Sequence, residues 1–134
     1  MQQPVKLSPP GIGGSIPSRP TRNSRQQGAI GVGRAIAYYS SRGYAVFVPI
    51  SDVSRFDLVV DTGERLLRVE VKTSRQASGE IDLRTHGGNQ SWTGVVKRVT
   101  ATDCDVVFVV NVTTGGEREY PVSALEGMST ITVR

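Results

Sequence analysis

The segment that most constrains the fold runs from Arg55 to Ser74 and reads RFDLVVDTGERLLRVEVKTS. Its first part, Phe56 to Asp61, is mostly apolar or β-branched, and its last part, Leu66 to Thr73, alternates apolar with charged residues. A typical turn composition, Asp-Thr-Gly-Glu, separates the two parts. The segment therefore predicts a β-hairpin.

The second strand of this hairpin carries an unusual row of charges. Side chains of a strand alternate between the two faces of a sheet, so Arg68, Glu70 and Lys72 share one face. Their apolar neighbours, which include Val69 and Val71, take the other face. Three successive charges on one face of a strand require a chemical reason.

The register of the hairpin places two acidic residues together. If the loop spans Thr62 to Arg65, Asp61 pairs with Leu66. The same register then places Asp57 opposite Glu70. Directly opposed Cβ atoms are about 4.5–5.5 Å apart, a separation at which two ionised carboxylates repel each other. The register therefore predicts that a cation lies between them.

Mg²⁺, with Mn²⁺ as a substitute, suits this position because one or two carboxylates commonly hold it together with waters and substrate phosphates. Lys72, on the same face as Glu70, adds a positive charge to the same space. Such a site can bind a phosphodiester, polarise it and activate a water. The alternative is that Glu-x-Lys is an ordinary feature of a solvent-facing strand. The apolar run Leu58 to Val60 favours the metal site, because it indicates a strand covered on both faces, where unpaired charges are costly.

Asp57, twelve intervening residues and then Glu70-Val71-Lys72 resemble the PD-(D/E)XK nuclease signature, which lies on a hairpin of this kind. The resemblance implies that Asp57 and Glu70 are metal ligands and that the carbonyl of Val71 is a third. It implies that Lys72 orients the attacking water or stabilises the charge of the phosphorane. Asp57, Glu70 and Lys72 are thus the expected catalytic residues.

The wider pattern GAIG…A…SRGYAVFVPI…RFDLVVD…RVEVKTS is similar to intron-encoded homing endonucleases and archaeal Holliday-junction resolvases. The resemblance implies an α/β (α+β) fold with a restriction-endonuclease-like core, in which a central mixed β-sheet with a catalytic β-hairpin is flanked by helices. It implies a Mg²⁺-dependent DNA endonuclease, either structure-specific or of the homing type. A homodimer is expected, since symmetric cutting of both DNA strands calls for two sites.

Two positions depart from the pattern of these relatives. They usually carry a glutamate on the first helix just after the second glycine, where this chain has Val32, and Phe56 stands where the signature has proline. Fewer carboxylates favour one metal ion over two. They also leave open a second function, that of a catalytically inactive DNA-binding relative with the same fold.

The net charge of +4 comes from the N-terminal region. Lys6 and three arginines give residues 1–25 four positive charges and no acidic residue, whereas residues 26–134 are neutral overall. Five of the seven prolines also lie there, so residues 1–26 are expected to form a disordered basic tail before a nuclease-like domain at 27–134. Such a tail either binds phosphate backbone or serves only as a solubilising leader. The expected DNA-binding residues are Arg19, Arg22, Arg25, Arg75, Lys97 and Arg98.

The remaining elements are predicted from shorter patterns. Ala29 to Ser41 is a helix candidate with Gly43 just after its end, and its small residues Gly31, Gly33, Ala35 and Ala37 are expected to let it approach the sheet. Tyr44–Val48, Gly79–Arg84, Asp105–Val112, Arg118–Val122 and Thr130–Val133 are the strand candidates. Residues 123–126 are expected to form a helical turn, and residues 93–102 fit either a short helix or an irregular crossover.

Single residues and the absence of long apolar runs exclude several classes of protein. His86, the only histidine, is expected in an exposed Gly-rich loop, and Cys104, the only cysteine, at the entry to a buried strand. One residue of each kind argues against a structural zinc site. Without an apolar run of membrane-spanning length or a signal peptide, the protein is expected to be cytoplasmic.

Overall fold

A computed structural model describes residues 24–86 and 96–134. The elements in chain order are α1 (Ser24–Ser40), β1 (Ala45–Phe47), β2 (Leu58–Asp61), β3 (Leu66–Ser74), β4 (Glu80–Asp82), β5 (Arg84–His86), β6 (Val96–Arg98), β7 (Val106–Asn111), β8 (Glu117–Pro121), a 3-10 helix (Val122–Leu125) and β9 (Thr130–Thr132). Among these residues no helix is long and apolar enough to cross a membrane.

Five strands form the central sheet in the order β1-β2-β3-β7-β8. The β3 and β7 strands run parallel, from the pair Val69 and Val106 to the pair Ser74 and Asn111, and the other neighbours are antiparallel. All six residues of β7 are buried. This agrees with the prediction that the most apolar run of the sequence forms a buried strand. The mixed sheet confirms the predicted fold class.

The β2–β3 hairpin has the predicted register, with Asp61 opposite Leu66. The N–H of Thr62 donates to the carbonyl of Arg65 at 3.1 Å, and the N–H of Gly63 donates to Oδ1 of Asp61 at 2.8 Å. Gly63 has a φ of +88°, a conformation that glycine adopts without steric cost. Local turn chemistry therefore fixes which residues of β2 and β3 face each other.

Helix α1 packs on one face of the sheet. It begins at Ser24, five residues before the predicted start, so the last residues of the predicted tail, Ser24 to Gln26, are helical. Gly31 and Ala35 face the sheet, and a Cβ at Gly31 would overlap Cγ2 of Thr73. Gly33 and Ala37 are exposed, so the prediction that all four small residues permit close approach is wrong for these two.

The opposite face is covered by the small antiparallel sheet β4–β9 and by the 3-10 helix, and β5 and β6 form a further two-stranded sheet. In the described part of the chain α1 is the one α-helix that flanks the sheet, where flanking helices were expected. His86 belongs to β5, so its predicted place in a loop is wrong. Cys104 is fully buried in the core cluster on this side of the sheet, as expected.

Strand β2 is only partly covered on this second face. Leu58 and Val60 are fully buried against the α1 side, whereas Val59 between them is partly exposed. The expectation of a strand covered on both faces is therefore met only in part. The face that Val59 shares with Asp57 is accessible, and this accessibility makes the adjacent cleft reachable by a substrate.

Candidate active site

Asp57 lies immediately before β2 and is tied to the backbone of β3. Its N–H donates to the carbonyl of Val69 at 2.9 Å, and its Oδ2 accepts a 2.8 Å hydrogen bond from the N–H of Val71. The regular ladder ends one residue earlier, at the pair of Leu58 and Val69. Asp57 thus replaces the next ladder bond with its side chain, which fixes its carboxylate beside β3.

Glu70 and Lys72 follow on the same face of β3. The Nζ of Lys72 lies 3.1 Å from Oε1 of Glu70, and the two side chains are only 13% and 16% exposed. An ion pair this buried is protected from the screening that weakens surface pairs. Glu70 and Lys72, which were predicted to share a face, therefore form a buried ion pair close to Asp57.

The electrostatics of the two acids reflect burial and mutual repulsion. Burial raises the pKa of Glu70 to about 7; the charge of Lys72 opposes this rise, and the charge of Asp57 adds to it. Burial also raises the pKa of Asp57, although the N–H of Val71 and the charge of Lys72 act in the opposite direction. Near neutral pH the pair therefore holds less than two negative charges in the absence of a cation.

The carbonyl of Val71 is directed toward Asp57 by the geometry of the strand. The carbonyls of Arg68 and Ser74 accept hydrogen bonds from the N–H groups of Asp105 and Val112, which flank β7. Backbone groups alternate along a strand, so the odd-numbered residues direct both N–H and C=O to the other side. The N–H of Val71 meets Asp57 there. The carbonyl of the same residue therefore points to the edge where β2 has already ended.

These groups form a donor set that suits a hard divalent cation. Two carboxylates, Asp57 and Glu70, and the carbonyl of Val71 offer only oxygen atoms, the ligands that Mg²⁺ prefers. No group of three or more acidic, histidine or cysteine side chains with metal-binding geometry occurs in the described ranges. A divalent ion at this place would thus be held by two carboxylates, a carbonyl and waters.

A cleft of about 270 Å³ lies over these acids. Its lining residues are Ser54, Arg55, Asp57, Glu70, Arg98, Val99 and Asp103. Arg98 was predicted to bind DNA, whereas Arg55 and Asp103 were not singled out by sequence reasoning. Arg55 could have been noticed as a cation two residues before Asp57, but the position of Asp103 depends on long-range strand pairing.

The turn that carries Asp103 is held by Arg68. The Arg68 guanidinium donates to both carboxylate oxygens of Asp105 and to the carbonyls of Ala101 and Thr102, at 2.9–3.1 Å. These bonds hold the pKa of Asp105 below its usual range. Arg68, on the same face as Glu70, therefore fixes the far wall of the cleft.

Two further predicted DNA-binding residues, Arg25 and Arg75, are not among the described residues that line this cleft. Arg25 is exposed on α1, and Arg75 is exposed just after β3. Arg19 and Arg22 lie outside the described residues, as does the side chain of Lys97. Their role in DNA binding stays a prediction.

Both departures from the signature lie in apolar surroundings. Val32, at the position where relatives carry an acid, packs against the cluster between α1 and the sheet. Phe56, at the position of the proline, packs against the cluster on the other face. Hydrophobic contacts thus account for both side chains.

Comparison with known proteins identifies a family and a fold. A family model described as PD-(D/E)XK endonuclease matches residues 22–130. Among solved structures, the chain is similar to a bacterial homing endonuclease, I-Ssp6803I, with a TM-score of 0.70 and 23% identity over 84% of this chain and 78% of that one. This likeness shows the fold. No curated protein matches the chain.

Proposed function

Because the chain belongs to the PD-(D/E)XK endonuclease family, we propose that it is a Mg²⁺-dependent endonuclease that hydrolyses phosphodiester bonds in DNA. The observation that carries the proposal is that Asp57 and Glu70 line one accessible cleft while Lys72 forms a buried ion pair with Glu70. Asp57 and Glu70, together with the carbonyl of Val71, would hold the ion. A bound Mg²⁺ would polarise the phosphodiester and lower the pKa of a water.

The chain's own residues supply orientation and charge. The hydrogen bond from the N–H of Val71 holds Asp57 in place, and the ion pair with Lys72 holds Glu70. Lys72 thereby places a compact ammonium beside the acids, where it can orient the attacking water or stabilise negative charge that develops on the phosphorus oxygens. Burial of these groups strengthens their interactions relative to water.

Two substrate classes follow from the resemblance. One is duplex DNA, cut as the name of the similar homing endonuclease implies for that protein. The other is branched DNA such as the Holliday junction. Both fit a phosphodiester-binding cleft, and their relative cleavage rates distinguish them.

A catalytically inactive DNA-binding protein is the second candidate function. The observation that favours it is Val32, whose side chain packs into an apolar cluster where relatives supply a further acid. The intact set of Asp57, Glu70 and Lys72 favours the nuclease, because loss of activity would remove the reason to keep all three.

A homodimer is part of the proposal, since two cuts across a duplex call for two sites. Strand β1 lies at one edge of the central sheet, and the residues beside it expose large apolar side chains: Phe47, Val48, Ile50 and Val53. Exposed apolar patches mark interaction surfaces on soluble proteins. A second copy at this edge would cover them.

The experiment that tests the proposal is a cleavage assay with plasmid and with a four-way junction, each with Mg²⁺ and with EDTA. Cleavage that requires Mg²⁺ and is lost in Asp57→Asn supports the nuclease. Binding without cleavage under all conditions would favour the inactive relative. Sedimentation of the protein measures its oligomeric state in the same buffer.

A further inference from the structure

Arg55 borders the acids of the cleft but belongs to no part of the signature. It precedes Asp57 by two residues, lines the same cleft and has a side chain that is 70% exposed. Its Nη1 lies 3.6 Å from Oδ1 of Asp103 across the cleft. Charge-assisted N–H···O bonds are typically about 2.7–2.9 Å long. Asp103 therefore attracts Arg55 without holding it in a tight hydrogen bond.

Asp103 is the fixed member of this pair. Its Oδ2 accepts hydrogen bonds from the N–H of Thr100 at 3.2 Å and from the Thr100 hydroxyl at 3.0 Å. Arg68 holds the neighbouring carbonyls of the same turn. Any exchange of partners at this contact would thus move Arg55 and leave Asp103 in place.

In addition to a metal ion at Asp57 and Glu70, a cation on the wall of the cleft would favour the entry of a phosphate. Asp57, Glu70 and Asp103 line the cleft, and each carboxylate repels an approaching phosphodiester. Of the two arginines among the described residues that line it, Arg98 donates to the carbonyl of Gly127 at 3.4 Å and also borders a second cleft. Arg55 is the arginine on the same segment as Asp57.

We propose that Arg55 binds a backbone phosphate next to the scissile bond, and that Asp103 holds Arg55 at the cleft wall until DNA displaces it. The planar guanidinium matches phosphate oxygens in a bidentate way that an ammonium cannot. The inference rests on the proposed function, because it assumes that DNA enters this cleft.

The test measures the Kd of a fluorescent duplex by anisotropy in EDTA, over a range of salt concentrations. Arg55→Ala should raise Kd roughly tenfold to a hundredfold, the range for a hydrogen bond to a charged group. It should also lower the slope of log K against log salt by about 0.9. Arg55→Lys should restore the slope but only part of the affinity. Arg34→Ala is the matched control, since Arg34 is a partly exposed arginine of α1 that is paired with Glu117 on the other side of the sheet.

The role of Asp103 is tested with Asp103→Asn, whose amide oxygen can still accept from Thr100. This variant should lower Kd by about threefold or more, because it releases Arg55. The gain should shrink in the Arg55→Ala background if Asp103 acts through Arg55. Equal gains in both backgrounds would mean that Asp103 repels DNA directly, and would overturn the holding role.

The outcomes of these experiments distinguish the proposed role of Arg55 from the proposed nuclease function. Wild-type protein that binds DNA without cutting it contradicts the nuclease proposal but leaves the Arg55 measurement valid. Wild-type affinity and salt slope in Arg55→Ala would overturn the inference even if cleavage is normal. A wild-type protein that binds no DNA overturns both.

Discussion

The ammonium of Lys72 lies 3.1 Å from the carboxylate of Glu70, which lines a cleft together with Asp57. The pair is largely buried, and two neighbouring acids share one lysine. Asp57 and Glu70 would therefore already lie close together when a cation enters the cleft, and the charge of Lys72 would already offset part of their negative charge. The chemistry of this cluster can be tested one residue at a time.

Lys72→Ala should reduce the single-turnover cleavage rate by about 10²–10³, the effect of losing one preorganised donor. If Lys72 acts on the attacking water or on the charge of the phosphorane, that interaction is made mainly in the transition state, and the Kd for DNA should stay nearly unchanged. Lys72→Arg should not restore the rate, because a planar fork cannot replace a compact ammonium in a buried pair. Unaltered cleavage at saturating DNA would remove Lys72 from the catalytic residues.

Divalent metal should stabilise the fold, because it relieves the repulsion between Asp57 and Glu70. At 100 times its Kd, free Mg²⁺ should raise the free energy of unfolding by about 2.7 kcal/mol. Asp57→Asn should abolish this response while it keeps an acceptor for the N–H of Val71. Asp82→Asn, which changes an exposed acid outside the cleft, should retain it. Melting curves with and without millimolar Mg²⁺ or Mn²⁺ give the result, and an unchanged wild-type melting temperature would contradict the metal site.

Without metal, the protein should lose stability as pH rises from about 4.5 toward 7. The folded-state pKa of Glu70, about 7, exceeds its ordinary value of 4.5. Between these values the folded state binds more protons than the unfolded state, so the free energy of unfolding falls with rising pH. The loss can reach about 3 kcal/mol, since one pKa unit corresponds to about 1.4 kcal/mol.

Urea unfolding in EDTA at pH 5 and pH 8 measures this loss. Glu70→Gln should reduce the dependence, because it removes one of the two acids whose pKa is raised in the folded protein, and Asp57 remains. Asp105 does not contribute in this window, because its lowered pKa places its effect below its ordinary value of 3.8. Parallel pH profiles for wild type and Glu70→Gln would contradict the expectation.

Two glycines of α1 should respond in opposite ways to the same substitution. Gly31→Ala should destabilise the protein by about 1–3 kcal/mol, because the added Cβ would overlap Thr73 and force helix and sheet apart. Gly33→Ala meets open space and should stabilise the helix by up to about 1 kcal/mol. Thermal unfolding of the two variants compares them, and equal effects would mean that Gly31 does not set the distance between helix and sheet.

Truncation of residues 1–23 should weaken binding to all DNA sequences alike, because the charges of a tail that is predicted from sequence to be disordered would have no fixed geometry. The cut spares α1, which begins at Ser24, and removes Lys6, Arg19 and Arg22. If all three engage phosphates, the slope of log K against log salt should fall by up to about 2.7. An unchanged slope would make the tail irrelevant to DNA binding.

Sequence reasoning succeeded where the determinants are local. The turn at Asp61 to Gly63 is specified by one side-chain hydrogen bond and one glycine, and it alone sets the hairpin register. From that register the meeting of Asp57 and Glu70 follows by counting. The start of α1 was missed because a distant contact supports it: Gln27 donates from its side chain to Thr73 at 2.9 Å.

The far wall of the cleft was not predictable for the same reason. Asp103 reaches the acids because β3 pairs in parallel with β7, and Arg68 binds Asp105 across 37 residues of sequence. No local sequence pattern predicts the parallel pairing of β3 with β7. The small sheets that replace a second helix also depend on distant partners, as in β4, which pairs with β9 about 50 residues later.

The parallel pairing of β3 and β7 also bears on how the chain folds. Hairpins such as β2–β3 form within about 1–10 μs, because their partners are neighbours in sequence. The β3–β7 contact must first close a crossover from Arg75 to Asp105, and folding slows as such non-local contacts accumulate. The strands that bear Asp57 and Glu70 can therefore pair early. The wall that carries Asp103 forms only after β3 has paired with β7. In a folding chain, Asp57 and Glu70 would therefore come together before the cleft around them exists.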